Sequence, residues 1–525
     1  MQASVQFARK SLWSAIASAF VTLSSFLCSI IAARILGVSG SGEVAYVIWL
    51  MSIGSVVIDL GLSAVVARYV PEMHGRGQHR EADQLAGTLV FILVIAVVSA
   101  CALAFLSLKL GIISIEALRA GFGGVSLVTL LAGYISVQVL GAFTLFYLRG
   151  LQDFGRLARV CGLSLVLQLI CVALGSYWFG VEGAVAGYIA GQVLPALLSL
   201  TLLRHAAPVD AGLRTRIWRY GAYSWAANIA NAFVWARMEI FFLQRFWDSH
   251  SVGLFAAALT LTNLATQGPM LLTTAFLPLL SERYGANDTA AMQNILSAGT
   301  RLLAALVFPA CFGVAAVMPV LLPLLYGPDF APAILPAMVL VSVSGIAATT
   351  LIATNLVNAL ERSDFIFANS FVGALFAIAL GFMLVPRFGL MGATAARASI
   401  QAGMIVIGCW FVVRRLHYPL PWRTLGRLLV ASLCSAAVAG LCVVVWPSPA
   451  ALLVAVPLAC VAYLVGLRIL QALPTQDLAV LIAICESLPQ PLQAIFNRIL
   501  MFVQRTPAWR ESRLMRDQPV GAKVR

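Results

Sequence analysis

The sequence is short of charge. Only 10% of its 525 residues are Asp, Glu, Lys or Arg, against about 25% in soluble domains. Lysine is almost missing: Lys10, Lys109 and Lys523 are the whole set, and none stands in a GxxxxGK[ST] phosphate-cradling loop. That absence excludes an ATP-driven pump of the P-loop type. The ten cysteines have no CxxC spacing, and Cys28, Cys161, Cys311 and Cys442 lie inside apolar runs, which reads as helix packing rather than disulfide or metal chemistry. His74, His79, His205, His250 and His417 are scattered without a ligand pattern, so no metal and no cofactor is expected. No polar stretch between apolar runs is long enough to fold as a domain.

What is present is hydrophobicity. Apolar residues make up 61% of the chain and the mean hydropathy is +0.95. No water-soluble fold hides that much apolar surface, and in lipid each backbone polar group must be paired inside a helix or a closed barrel. The runs here are about 20 residues long and continuous, which selects helices. They fall at 11–33, 44–69, 85–108, 121–147, 160–178, 183–203, 219–245, 252–280, 298–325, 333–358, 366–385, 389–413, 426–446 and 450–470. The expected fold is an all-α polytopic membrane protein of about fourteen spans. Arg9 and Lys10 before the first run imitate a secretory signal, but that run is too long and lacks a small-residue cleavage site.

Positive charge sets the orientation. Of the 34 lysines and arginines, 27 fall on the side that carries both termini, five (Arg34, Lys109, Arg119, Arg245 and Arg387) on the other, and Arg237 and Arg397 within spans. Both termini are therefore expected in the cytoplasm of a bacterial inner membrane. The net charge of +14 follows from this placement and does not call for nucleic acid.

The chain also repeats itself at a spacing of about 210. LRGLQDFGRLARVCG (148–162) matches NALERSDFIFANSFVG (358–373), and FGVEGAVA (179–186) matches FGLMGATA (388–395). Arg34 and Gly42 align with Arg245 and Gly253, and Tyr188 aligns with Arg397. Six spans per repeat keep both halves in one orientation, so the expected architecture is two six-helix lobes related by a pseudo-two-fold along the membrane normal. The lobes cover 1–203 and 219–415, joined by a cytoplasmic linker at 204–218. Two accessory helices follow within 416–470, and 471–525 reads as a cytoplasmic amphipathic and basic tail.

Four stretches carry a family resemblance: ARILGVSGSGEVAYV (33–47), IDLGLSAVVARYV (58–70), ARMEIFFLQRFWDSHSVGLFAAALTLTN (236–263) and LVPRFGLMGATAA (384–396). In order and spacing they resemble polysaccharide flippases, of the O-antigen and exopolysaccharide type, in the MOP exporter superfamily. The resemblance implies two lobes around a central cavity that alternates between inward- and outward-facing states. The implied cargo is an undecaprenyl-diphosphate-linked oligosaccharide moved from the cytoplasmic to the periplasmic leaflet, with membrane lipid and a polysaccharide polymerase or glycosyltransferases as partners. The two accessory spans resemble the fourteen-helix arrangement of lipid II flippases, which keeps a peptidoglycan precursor open as cargo. An enzyme acting on the same carrier typically carries a long periplasmic loop, and none is present, so no enzyme is expected. A cation-coupled drug or metabolite antiporter of the same superfamily is the other open reading; intramembrane arginine outweighing acid favours an anionic cargo.

Ionisable groups inside a bilayer cost at least about 2.5–3.5 kcal/mol and usually face a cavity or a partner. Arg237 lies about 26 Å up span 7, and Arg397 about 12 Å below the outer end of span 12. Guanidinium suits a diphosphate, so Arg34, Arg237 and Arg397 are candidates to receive it, with Arg245 at the rim. The alternative is that Arg237 ties two helices together and that Arg34 and Arg245 snorkel. Asp59 and Glu239 are candidates for ion or proton coupling, or simply neutralise arginines. Asn231, Tyr188 and Asn355 are candidates for sugar contacts, or bond neighbouring helices.

Overall fold

The computed structural model describes residues 2–110, 124–208, 211–235, 238–273 and 276–474. Arg237 and nearly all of the expected tail lie outside the described residues. The described chain is helical throughout and contains no strand. Its helices are α1 (Gln2–Ile58), α2 (Leu62–Gly75), α3 (His79–Lys109), α4 (Gly124–Gly150), α5 (Phe154–Thr201), α6 (Ala211–Trp235), α7 (Met238–Phe246) and α8 (Ser249–Thr273). They continue as α9 (Phe276–Gly285), α10 (Thr289–Tyr326), α11 (Ile334–Ala348), α12 (Leu351–Ala359), α13 (Ser363–Trp410), α14 (Trp422–Val445) and α15 (Ala451–Leu470).

Among the described residues nine helical stretches are long and apolar enough to cross a membrane. Three of them, Trp13–Ile58, Phe154–His205 and Asp364–Arg415, each cover two of the expected spans. Each doubled stretch is broken at one residue: Gly37, Gly180 and Gly389. The outer loops expected there thus shrink to single glycines, and Arg34 sits in helix rather than in a loop. Gly180 (φ 62°, ψ −136°) and Gly389 (φ 52°, ψ −127°) share a conformation that side chains rarely adopt. The chain folds back at both points, because a Cβ on Gly183 would lie 2.0 Å from Gly175 O, and one on Gly392 would lie 2.3 Å from Leu384 O.

The repeat is thereby visible in the backbone. Helix ends separated by 209 or 210 positions close in the same way. At Gly77 and Asn287, and again at Gln152 and Glu361, one left-handed residue ends a helix. The residue after it bonds back five positions (Gln78 to Met73, Asp288 to Arg283, Asp153 to Leu148, Arg362 to Val357). These are four Schellman ends, which satisfy carbonyls that a helix terminus would otherwise leave bare.

The second expected span is not continuous. Leu60 (φ 51°) and Gly61 (φ 73°) are both left-handed, so the helix stops at Ile58 and restarts as α2. Asp59 therefore sits at a break, not within a helix as the apolar run implies. The break is repaired locally: Ser63 Oγ donates to Asp59 Oδ1 at 2.5 Å, and Trp225 Nε1 of α6 donates to Val57 O at 2.9 Å. Such repair is what lipid demands of interrupted helices.

Two compact units emerge. The first holds 1–267, 322–340 and 363–407; the second holds 268–321, 341–362 and 408–525. In the first, Leu62, Val66, Leu85, Leu93 and Phe143 pack α2, α3 and α4 into a closed core. In the second, Phe308 and Phe312 of α10 pack against Leu428 and Ala431 of α14 and Leu467 of α15.

Candidate functional site

The first unit contains a point where repeat-equivalent elements meet. A Cβ on Gly42 of α1 would stand 1.8 Å from Ser249 O of α8, and a Cβ on Gly253 of α8 would stand 2.1 Å from Val38 O of α1. In the repeat Gly42 corresponds to Gly253, and Val38 to Ser249. The contact is thus reciprocal, with each glycine lying on the other's counterpart carbonyl, as in an isologous interface. Any side chain at either position would push the two backbones apart.

Beside this crossing lies a cavity of about 290 Å³, also wholly within the first unit. One stripe of α1 beyond the Gly37 break faces it, spaced as a helix face: Ser41, Ala45, Ile48, Trp49 and Ser52. Ser25 and Ser29 face it from the earlier part of α1, and Gly253, Ala256 and Thr260 from α8. Tyr188 of α5 and Tyr326 at the end of α10 complete its polar wall, and Ser29 Oγ and Tyr326 OH share a hydrogen bond of 3.0 Å. Among the described residues no acidic, basic or histidine side chain lines it. Of the described residues, Tyr188 is the one expected at a site that the cavity receives.

The expected charged residues that are described lie elsewhere in the first unit. Arg397 Nη1 of α13 and Glu239 Oε1 of α7 form an ion pair at 3.6 Å. Their side chains are only 12% and 5% exposed, and Glu239 Oε2 is buried without a hydrogen bond. α7 is wedged between the two halves of α13: Gly381 packs on the Phe242 ring, Gly389 on the Trp247 ring, and Trp247 Nε1 donates to Val385 O at 2.8 Å. The wedge fixes the depth at which carboxylate and guanidinium meet. A long, incompletely bonded buried pair of this kind is costly to keep, since desolvation offsets much of the attraction.

Arg34 does not point at a free site. Its Nε donates to Leu325 O at 2.8 Å and its Nη2 to Leu324 O, so the cation closes the C-terminal end of α10, where the helix dipole is negative. Arg245 is exposed near the end of α7, its guanidinium 5.9 Å from the Phe246 ring centre. Asn355 lies in the second unit and donates from Nδ2 to Thr273 O at 3.0 Å, a bond between α12 and α8's last residue. Asn231 falls within α6.

Ser25, Ser29, Ser41, Ser52, Trp49 and Thr260 were not among the residues expected from sequence. Their signal is a stripe at positions 25 and 29 and another at 41, 45, 48, 49 and 52. It means little until the facing elements are known.

The model of a polysaccharide biosynthesis protein family matches residues 31–335. A curated relative, the probable low-salt glycan biosynthesis flippase Agl15 of Haloferax volcanii, is 21% identical over 439 residues, covering 83% of this chain and 89% of its own. Among solved structures, the lipid II flippase MurJ in an inward closed conformation superposes with a TM-score of 0.69 at 14% identity, over 87% of this chain and 98% of that one. An inward-facing multidrug resistance MATE transporter of the MOP superfamily gives 0.62 at 15% identity, over 76% and 94%. At these identities the two structural likenesses speak for the fold.

Proposed function

The chain belongs to this polysaccharide biosynthesis protein family, and on that premise we propose that it is a flippase for an undecaprenyl-diphosphate-linked oligosaccharide, working by alternating access from the cytoplasmic to the periplasmic leaflet of the inner membrane. One observation carries the reading: repeat-equivalent helices meet at Gly42 and Gly253 beside a polar cavity in a chain otherwise built for lipid. At this point the two helices approach backbone to backbone, closer than any side chain would allow. With the N-terminus cytoplasmic, as the arginines imply, this contact lies at the periplasmic end and the structure corresponds to a state closed on that side.

In this reading Arg397 and Arg237 meet the diphosphate. Glu239 holds Arg397 in place while the carrier is empty and yields it to a more highly charged anion. Arg34 becomes available only when the end of α10 moves away, and Arg245 serves the rim. Asp59, at its helix break, and Glu239 are the groups through which an ion or proton gradient acts.

The test is a depletion strain with leaflet-specific labelling of lipid-linked glycan. Glycan accumulating on the cytoplasmic leaflet, cleared by the wild-type protein and not by Arg397→Ala expressed at the same level, supports the proposal. Normal glycan export with altered drug sensitivity refutes it in favour of an antiporter, and accumulation of the peptidoglycan precursor alone moves the cargo to lipid II.

A further inference from the structure

The cavity beside the Gly42–Gly253 crossing has a chemistry that the flippase reading does not use. Its wall is polar yet carries no acidic, basic or histidine side chain among the described residues. Three of its hydroxyls donate to their own helix: Ser41 Oγ to Val38 O at 2.8 Å, Ser52 Oγ to Ile48 O at 2.7 Å, and Thr260 Oγ1 to Ala256 O at 2.8 Å. Each therefore presents lone pairs inward and has no proton left to give. Ser25, exposed on the cavity side of α1, makes no hydrogen bond among the described residues. Among the described residues the wall offers a phosphate no cation, and its unused donors are the Trp49 Nε1–H, buried without a partner, and the Ser25 hydroxyl. A neutral polyol, whose hydroxyls both donate and accept, is matched by it.

Shape points the same way. Trp49, Tyr188 and Tyr326 supply aromatic surface beside the hydroxyls, which suits the apolar C–H face of a sugar ring. The volume of about 290 Å³ lies at the foot of the roughly 300–1,000 Å³ of small-molecule pockets, enough for a terminal sugar and not for a whole lipid-linked oligosaccharide.

We infer that this cavity is a subsite for an uncharged sugar ring of the cargo, separate from the place where the diphosphate is held. The assignment rests on the flippase reading and adds to it that the headgroup is recognised in two parts, a neutral ring here and an anion elsewhere. It also gives the closed end of the molecule a use, since a ring seated against α1 and α8 couples cargo recognition to the contact between them.

The test titrates the purified full-length protein with two probes, undecaprenyl diphosphate and undecaprenyl diphosphate bearing one N-acetylhexosamine, read by native mass spectrometry. The wild type is expected to bind the sugar-bearing probe about tenfold tighter, the worth of one or two hydrogen bonds. Ala256→Leu, which fills the cavity, and Ser25→Val, which breaks no bond within the protein, are expected to abolish that preference while affinity for the bare diphosphate stays the same. Equal wild-type affinity for the two probes overturns the subsite and leaves the flippase reading standing. Failure to bind either probe overturns the flippase reading and the subsite with it. Variants that keep the preference, or that weaken both probes alike, also overturn the subsite; in the latter case the cavity holds the diphosphate.

Discussion

Adding one methyl group at Gly42 tests the reciprocal contact directly. The new Cβ would stand 1.8 Å from Ser249 O and 2.7 Å from Gly253 N, and both neighbours are backbone atoms. An ordinary carbon–oxygen contact is about 3.3–3.6 Å, so α1 and α8 must part by roughly 1.5 Å. Overpacking of this kind costs about 1–3 kcal/mol, and the cost falls only on the conformation in which the helices touch. A shift of that size moves a two-state equilibrium about 5- to 150-fold. The readout is alkylation of Ser25→Cys by an impermeant maleimide in sealed vesicles, followed at that one residue by peptide mass. Labelling from the periplasmic face is expected to accelerate within that range in Gly42→Ala and in Gly253→Ala. The double variant should show less than the sum of the two, because helices already parted have room for the second methyl. Gly133→Ala is the control, since nothing lies within 4 Å of a Cβ there. If the Gly42 and Gly253 variants label like Gly133→Ala, or if their effects add fully, the reciprocal contact is refuted.

Two further predictions concern charge. Arg397→Met strands Glu239, only 5% exposed in its side chain, and is expected to destabilise the protein by about 3–5 kcal/mol, whereas Arg397→Met with Glu239→Met restores most of the loss; thermal unfolding in detergent separates the two. At the start of α8, outside the apolar spans, Asp248 Oδ1 accepts from Ser251 N at 2.8 Å, and this bond holds its carboxyl below the usual carboxylate range. A depressed folded-state pKa contributes stability above the unfolded pKa, and that contribution is lost as pH falls through the folded pKa. Asp248→Ala is therefore expected to cost about 1 kcal/mol at neutral pH, with the difference from wild type shrinking below about pH 4 in a thermal series.

The spans were legible because lipid leaves the chain so little choice: an apolar run of about 20 residues is a helix whatever its neighbours do. The repeat was legible in its turns, where the near-isosteric Gln152 and Glu361 share a left-handed conformation. The breaks were harder to read. Gly37, Gly180 and Gly389 fall where outer turns are expected between apolar runs, but only their dihedral angles show that each turn shrinks to a single glycine within continuous helix. Asp59 reads as a buried charge until Leu60 and Gly61 are seen to be left-handed. Glu239 and Arg397 were found because an ionisable group in a membrane announces itself. The serines of the cavity were not, since a hydroxyl that bonds its own helix costs little to bury and leaves no trace in composition.

The repeat also explains where chemistry was free to diverge. Backbone is held in common: Gly42 meets Gly253, and Gly180 bends as Gly389 does. Side chains at equivalent depth are not. Tyr188 faces a cavity with no charged side chain among the described residues, and its counterpart Arg397 is paired with Glu239. The close approach of α1 and α8 is the same from both sides, which holds Gly42 and Gly253 to glycine together. The proposed headgroup, a neutral ring on a charged linkage, has no such symmetry, so in that reading the residues that meet it differ between the halves. Tyr188 and Arg397 are one such pair of equivalent positions. Exchanging them would leave the fold's turns and crossing intact while placing a cation in the neutral cavity and leaving Glu239 opposite a phenol.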